Sequence, residues 1–339
     1  MKWKLVLVLL LAAAGAVVTY RFWPAPPPQP DGPAGEDLVA AEQQAREAVH
    51  TRPSDPQAYL QLARALRRRG RFEEAGFALR RAGELGLPAP DGRREAALLL
   101  AGQDWPPRAE GILQQAVKDH PDDPELLEAV SRAFAARGKW AAAEPLLTRL
   151  LARDPGNRDL QFRRGEVRMR LADFAGAVTD LRPVVEHDPG HFEARLYLAN
   201  SLLGDARIAE ARAELQTCRK LRPDRVEPLV GLARCELERD EAAAARLLDE
   251  AAALAPDNPL VLQEVAAIYL RSQRIDAAIA ALVRLVGLDP ENKQAHLNLA
   301  QAYLAAGRPD EARRHEARYQ ELDRRDETDA AARRGMRAP

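Results

Sequence analysis

The sequence predicts an all-α fold, a solenoid of stacked helical hairpins, from three observations: a period, a punctuation and a spacing. Prolines that close apolar runs stand at Pro53, Pro88, Pro121, Pro155, Pro189, Pro223, Pro256 and Pro290, at intervals of 35, 33, 34, 34, 34, 33 and 34 residues. The same turn chemistry returns beside them, as in "LLARDPGNRDL", "HDPGHFEA", "APDNPLVL" and "LDPENKQA". Between the marks, apolar residues recur every three and four positions, the pattern of a helix with one buried stripe. A fixed period of this length overrides the two-domain expectation that 339 residues would otherwise raise.

Each period is interrupted once near its middle by a short turn carrying Gly70, Gly138, Gly204 or Gly307, so a unit is a pair of helices. Asp55-Pro56, Asp123-Pro124 and Asn258-Pro259 mark helix starts. A capping side chain there precedes a proline whose missing N–H would have had no intrahelical partner. Eight units follow, near 54–87, 88–120, 121–154, 155–188, 189–222, 223–255, 256–289 and 290–323. Ahead of them, residues 37–53 begin with "DLVAAEQQAREAVH" and predict an unpaired helix of the second-helix type. Unit two, with Pro106 and Pro107, predicts a shortened first helix, and Pro183 falls inside the second helix of unit four, where it removes one hydrogen bond and should bend the helix.

Aligned on the closing prolines, small residues recur where helices must approach closely. First helices carry Ala63, Ala199, Ala233, Ala266 and Ala300, with Gly165 in unit four; second helices carry Ala75, Ala109, Ala143, Ala177, Ala211, Ala278 and Ala312. Ala82, Ala116 and Ala251 repeat the device seven residues further on. Larger residues fill the space between, including Leu79, Leu113, Leu147, Leu181, Leu215, Leu248 and Leu282, with Phe134, Tyr269 and Tyr303. A hairpin of this kind cannot bury its apolar face alone, so stability comes from neighbour stacking.

This small, large and aromatic register, with a proline closing each 34-residue unit, resembles the tetratricopeptide repeat family across residues 54–323. The family's early tryptophan is held here by Tyr59, Leu127, Leu229, Leu262 or His296. The resemblance implies a right-handed α-α superhelix whose concave face is lined by first helices and holds peptides from partner proteins. The groove positions it implies are Arg64, Arg67, Arg68, Arg132, Arg163, Tyr197, Asn200, Arg234, Asn298 and Gln301. Arginines in such a row suit carboxylates of acidic segments, which a guanidinium binds in a fork; the competing reading is a solvated face with local ion pairs. The family's carboxylate clamp is not reproduced at matching positions, so recognition of chaperone C-termini is not implied.

The N-terminal residues are different in kind. Lys2 and Lys4 precede an uncharged run from Leu5 to Tyr20, flanked by Trp3 on one side and by Tyr20, Phe22 and Trp23 on the other. That predicts a signal-anchor or transmembrane helix over 1–23, single-pass in a bacterial-type cytoplasmic membrane, with the N-terminus inside and the repeats on the periplasmic, extracytoplasmic side. The rival is a cleaved signal peptide, because Ala14-Gly15-Ala16 satisfies a small-x-small site. Residues 24–36 hold six of the 25 prolines and predict a semi-rigid spacer. Residues 324–339 read as a polar C-terminal tail, from about Asp326 the frayed end of a long solvating last helix and then disorder.

Fifty basic and 51 acidic residues leave a net charge of -1, so no global field recruits nucleic acid. Cys218 and Cys235 fall on neighbouring helices and read either as one disulfide or as two small buried residues. His187 and His191 are separated by Pro189, which prevents the continuous helix a paired metal site would need. The serines Ser54, Ser131, Ser201 and Ser272 lie in no G-x-S-x-G turn, and no phosphate-binding loop occurs. No cofactor, metal, small-molecule substrate or catalytic residue is expected. The function predicted is a membrane-tethered, non-catalytic scaffold for envelope proteins. The alternatives are a soluble periplasmic repeat protein after cleavage, or an accessory subunit of an enzyme complex such as cytochrome maturation or secretion machinery.

Overall fold

The computed structural model describes residues 33–103, 109–237 and 239–335, which form 17 helices and connecting turns without a strand. The anchor expected over 1–23 lies outside the described residues, as does most of the spacer. Among the described residues no helix is long and apolar enough to cross a membrane. The chain divides between Asp180 and Leu181 into two compact units, each described by itself.

The first unit opens with α1 (Pro33–Thr51), which begins inside the stretch expected as spacer. Hairpins follow: α2 (Pro56–Arg68) with α3 (Phe72–Glu84), α4 (Ala89–Ala101) with α5 (Glu110–Asp119), and α6 (Pro124–Ala136) with α7 (Trp140–Arg153). Then come α8 (Arg158–Arg170) and α9 (Phe174–His187). The expectation for unit two is corrected: its first helix, α4, has the same 13 residues as α2 and α6, and its second, α5, spans 10 among the described residues. Pro106 and Pro107 themselves lie outside the described residues. Helix α9 continues through Pro183.

Unpaired α1 is fixed by packing and by charge. Ala45 is buried beside Val49 against the first hairpin, and the buried Glu42 carboxylate takes Arg46 Nε at 2.8 Å, Arg69 Nη1 at 2.5 Å and Arg71 Nη1. Burial pushes the Glu42 carboxyl upward, but the hydrogen bonds from the three guanidinium groups outweigh it and hold the group below the usual carboxylate range.

The second unit contains α10 (Phe192–Gly204) with α11 (Ile208–Leu221), α12 (Glu227–Glu236) with α13 (Glu241–Leu254), and α14 (Pro259–Arg271) with α15 (Ile275–Leu288). It closes with α16 (Lys293–Ala305) and α17 (Pro309–Gly335). Helix α17 is long and runs past residue 324 into the stretch read as its polar end. Lys293 Nζ meets Asp323 at 2.8 Å and Asp326 at 2.9 Å, and Arg325 meets Glu291 at 2.7 Å, so charges at the start of its own partner helix α16 tie down its polar turns. Inside the last hairpin, His296 is buried and its Nε2 lies 3.1 Å from the Pro290 carbonyl, which requires an N–H there. Its Nδ1 therefore accepts from His315 Nδ1 at 2.9 Å.

Caps repeat with the period. The side chains of Asp55, Asp123, Asn157, His191, Asn258 and Asn292 each accept a backbone N–H of the first turn of the helix that follows. His191 is thus a cap standing where its counterparts are Asp or Asn. Six hairpin turns are also alike: Arg71 N–H donates to the Leu66 carbonyl, Arg207 to Leu202 and Arg308 to Tyr303, for example, the six-to-one bond of a helix stop with one left-handed residue, whereas between α12 and α13 Asp240 N–H donates to Glu236. Gly70, Gly138 and Gly307 supply that residue, but Gly204 does not. It ends α10, and the positive φ falls on Ala206 at 59°; Ala172 and Gln273 do the same in their units.

The small-residue register sits in the core. Ala75, Ala143, Ala177, Ala211 and Ala278 are fully buried, and unit six uses Ala244. Cys218 and Cys235 are buried and unbridged, with burial pushing the Cys218 thiol up to about 12. They serve as small core residues.

Candidate partner-binding faces

Some successive first helices touch one another: α2 packs on α4 and α4 on α6 in the first unit, and α10 on α12 in the second. No two successive second helices pack to that extent. A stack crowded on one layer and splayed on the other curves toward the crowded layer, so within each unit first helices form the inner face.

On the inner face of the first unit the sequence-predicted arginines are mostly spent on carboxylates. Glu95 of α4 is buried, with Arg67 Nε 2.5 Å from one oxygen and Arg64 Nε 3.5 Å from the other. Arg67 also reaches Glu125 at 2.9 Å, and Arg94 grips the same Glu125 at 3.0 Å while its Nε bonds Asp123. The chain of charges ties α2, α4 and α6 together. Burial raises the Glu125 carboxyl, but the Arg94 and Arg67 hydrogen bonds outweigh it and hold the group below its ordinary value. Arg163 is held by Glu128 at 3.1 Å and Asp159 at 2.6 Å.

Two of the predicted cations are unspent. Arg68 is exposed and Arg132 half-buried, and neither has an ion pair among the described residues. Sequence spacing missed Glu95 and Arg94. Both lie in the unit whose first helix was expected to be short, and an acid in an otherwise apolar run was the available signal.

In the second unit, Tyr197 is buried and is more core than surface. Arg234 is paired with Glu264, and Asn298 accepts from Gln294 Nε2 at 2.9 Å. Asn200 is half-buried and Gln301 exposed, each with its amide unengaged among the described residues. The arrangement supplies forked cations and amides suited to carboxylates and peptide groups.

The family profile described as tetratricopeptide repeat matches residues 35–85, 94–158 and 266–330, more than half of the chain. The chain belongs to the tetratricopeptide repeat family. A second tetratricopeptide repeat profile matches residues 168–233. The "TPR repeat-containing thioredoxin TTL4" of Arabidopsis thaliana is 38% identical over 74 residues, 22% of this chain and 11% of that protein. The match therefore spans only about a tenth of that relative's length.

Similar solved structures include "MamA 41-end from Desulfovibrio magneticus RS-1", 20% identical over 49% of this chain and 95% of that one, with a TM-score of 0.42. A thermophilic TPR protein of Thermus thermophilus is 18% identical over 54% of this chain and 100% of its own, TM-score 0.47. Yeast Tom70 is 18% identical over 80% of this chain and 59% of its own, TM-score 0.45.

Proposed function

We propose that the chain is a non-catalytic scaffold that holds protein partners on its first-helix faces. In this reading it is anchored through residues 1–23 in a bacterial-type cytoplasmic membrane, with 24–36 as spacer and the repeats of 54–323 on the extracytoplasmic side. The observation that carries the binding role is the presence of unspent polar heads on inner-face helices, Arg68, Arg132, Asn200 and Gln301, beside cations already paired with carboxylates. Within the first unit a partner's acidic segment would meet Arg68 and Arg132 directly and exchange with Glu128 at Arg163; within the second, a partner segment would meet Asn200 and Gln301 and exchange with Glu264 at Arg234. The remaining expected positions, Arg64, Arg67, Arg163, Tyr197, Arg234 and Asn298, then act as walls and orienting groups.

The test is crosslinking in intact cells with wild type and an Arg68→Glu, Arg132→Glu, Arg234→Glu variant. Loss of the principal crosslinked partners is expected, and an unchanged set refutes the inner-face reading. Cleavage after a leader is favoured by Ala14-Gly15-Ala16. Intact mass of the mature chain separates an anchored protein from a released one.

A further inference from the structure

The repeat provides its own control for detecting an opened seam. A leucine recurs at one position of seven second helices, and six of them, Leu113, Leu147, Leu181, Leu215, Leu248 and Leu282, are no more than 2% exposed. The seventh, Leu79 of α3, is only half-buried. Leu215 lies so close under α12 that a Cβ at Gly231 would meet its Cδ2 at 2.6 Å, whereas a Cβ at Gly83 of α3 meets nothing within 4 Å.

The opening is a trough of about 570 Å³ between α3, α4 and α5, within the roughly 300–1,000 Å³ that ligand sites occupy. Leu79, Leu99, Leu100 and Ile112 make its apolar floor, and Gly76, Gly83, Gly92 and Ala96 keep the walls low. Phe77 stands beside it on α3, 66% exposed, a large apolar side chain left in water.

Among the described residues the charge lining the trough has one sign. Its charged lining residues among those described are Arg80 and Arg93, with no carboxylate. Arg93 is matched by Asp119 at 2.6 Å. Arg80 has no ion pair among the described residues; its guanidinium lies 4.4 Å over the Phe77 ring, and Nη1 would stand 3.9 Å from a Cβ at Gly76, over the trough. An apolar floor beside an unmatched cation complements an apolar side chain carried next to a carboxylate.

We propose that this seam is a second docking site, separate from the inner face, and that it takes an acidic amphipathic segment of a partner protein. Leucine-sized side chains of that segment enter over Leu79 and Leu99, and a flanking carboxylate meets Arg80.

The probe is a fluorescein-labelled helical peptide of leucines and glutamates, titrated into the full chain and followed by anisotropy, with a lysine-for-glutamate peptide as control. Gly83→Leu puts apolar bulk into the trough from a helix position where the added Cβ meets nothing within 4 Å, and circular dichroism checks that folding is retained. Saturable binding to wild type is expected, weakened at least tenfold by Gly83→Leu, by Arg80→Glu and by the lysine peptide. It should survive in the Arg68→Glu, Arg132→Glu, Arg234→Glu variant. Absence of saturable binding, equal binding by the trough variants, or loss confined to the inner-face variant overturns the proposal. So does a concentration-dependent doubling of mass abolished by Gly83→Leu, which would assign the trough to a second copy of the chain.

Discussion

Replacing Ala206 by glycine should stabilise this protein, and the repeat supplies both the reasoning and the control. Six hairpin turns share one backbone design, and their left-handed residue is Gly70, Gly138 and Gly307 at φ of 68° to 72° but Ala172, Ala206 and Gln273 at 59° to 60°. The stop bond is equally short in both groups, 2.9 Å from Lys139 to Phe134 and 2.8 Å from Arg207 to Leu202, so the turn closes at full strength despite the side chain. An L side chain in that region costs about 1–2 kcal/mol. Glycine removes this but gives the unfolded chain extra freedom worth roughly 0.5–1 kcal/mol.

The net gain for Ala206→Gly is therefore about 0.5–1 kcal/mol, a rise of roughly 2–4 °C per kcal/mol in a chain of this size class. Gly138→Ala should shift stability the other way by a similar amount. Urea and thermal unfolding followed by circular dichroism measure both, and amide exchange at the turn reads the effect locally, since repeat arrays need not unfold as one body. If Ala206→Gly were neutral or destabilising while Gly138→Ala were harmless, the backbone argument would fail.

Two further outcomes follow from particular contacts. Gly231→Ala should destabilise by up to about 2 kcal/mol, because overpacking against fully buried Leu215 exceeds the helix propensity that alanine returns; shortening the neighbour with Leu215→Val should reduce the loss, and a neutral single variant in urea unfolding would show that the contact relaxes freely. Acid should loosen the last hairpin. Burial, then the neighbouring charges of His296 and Arg314, hold His315 below its ordinary 6.5, with Tyr303 stacked on it at 5.6 Å. The unfolded chain then takes its proton first, so this contribution is full above about 6.5 and is lost as pH falls through the lower folded value. Melting temperature should fall over that window, and His315→Phe should flatten the dependence.

Much of the fold was legible because it is written in short range. Proline and cap residues act on the next turn of chain, and the alanines at 75, 143, 177, 211 and 278 announce close helix crossings by their size alone. Misreadings came where local signals are permissive. Gly204 is tolerated at a helix end, so its presence two residues before the real stop at Ala206 misled.

The inner-face arginines were legible as a row and illegible as a network. Arg67 finds Glu125 58 residues away, and Arg163 finds Glu128 35 away. No spacing rule inside one hairpin reaches that far.

The sequence by itself determined the hairpin, its length, its caps and the positions that must be small, because each depends on interactions within about one period of chain. Only the tertiary structure decided which cations are already neutralised, that His296 and His315 share a hydrogen bond, and that the seam over Leu79 stands open while six equivalent seams are shut. Those outcomes rest on distances between helices, and a few tenths of an ångström in how two rods approach, set by packing over many residues, separates a filled contact from an empty one.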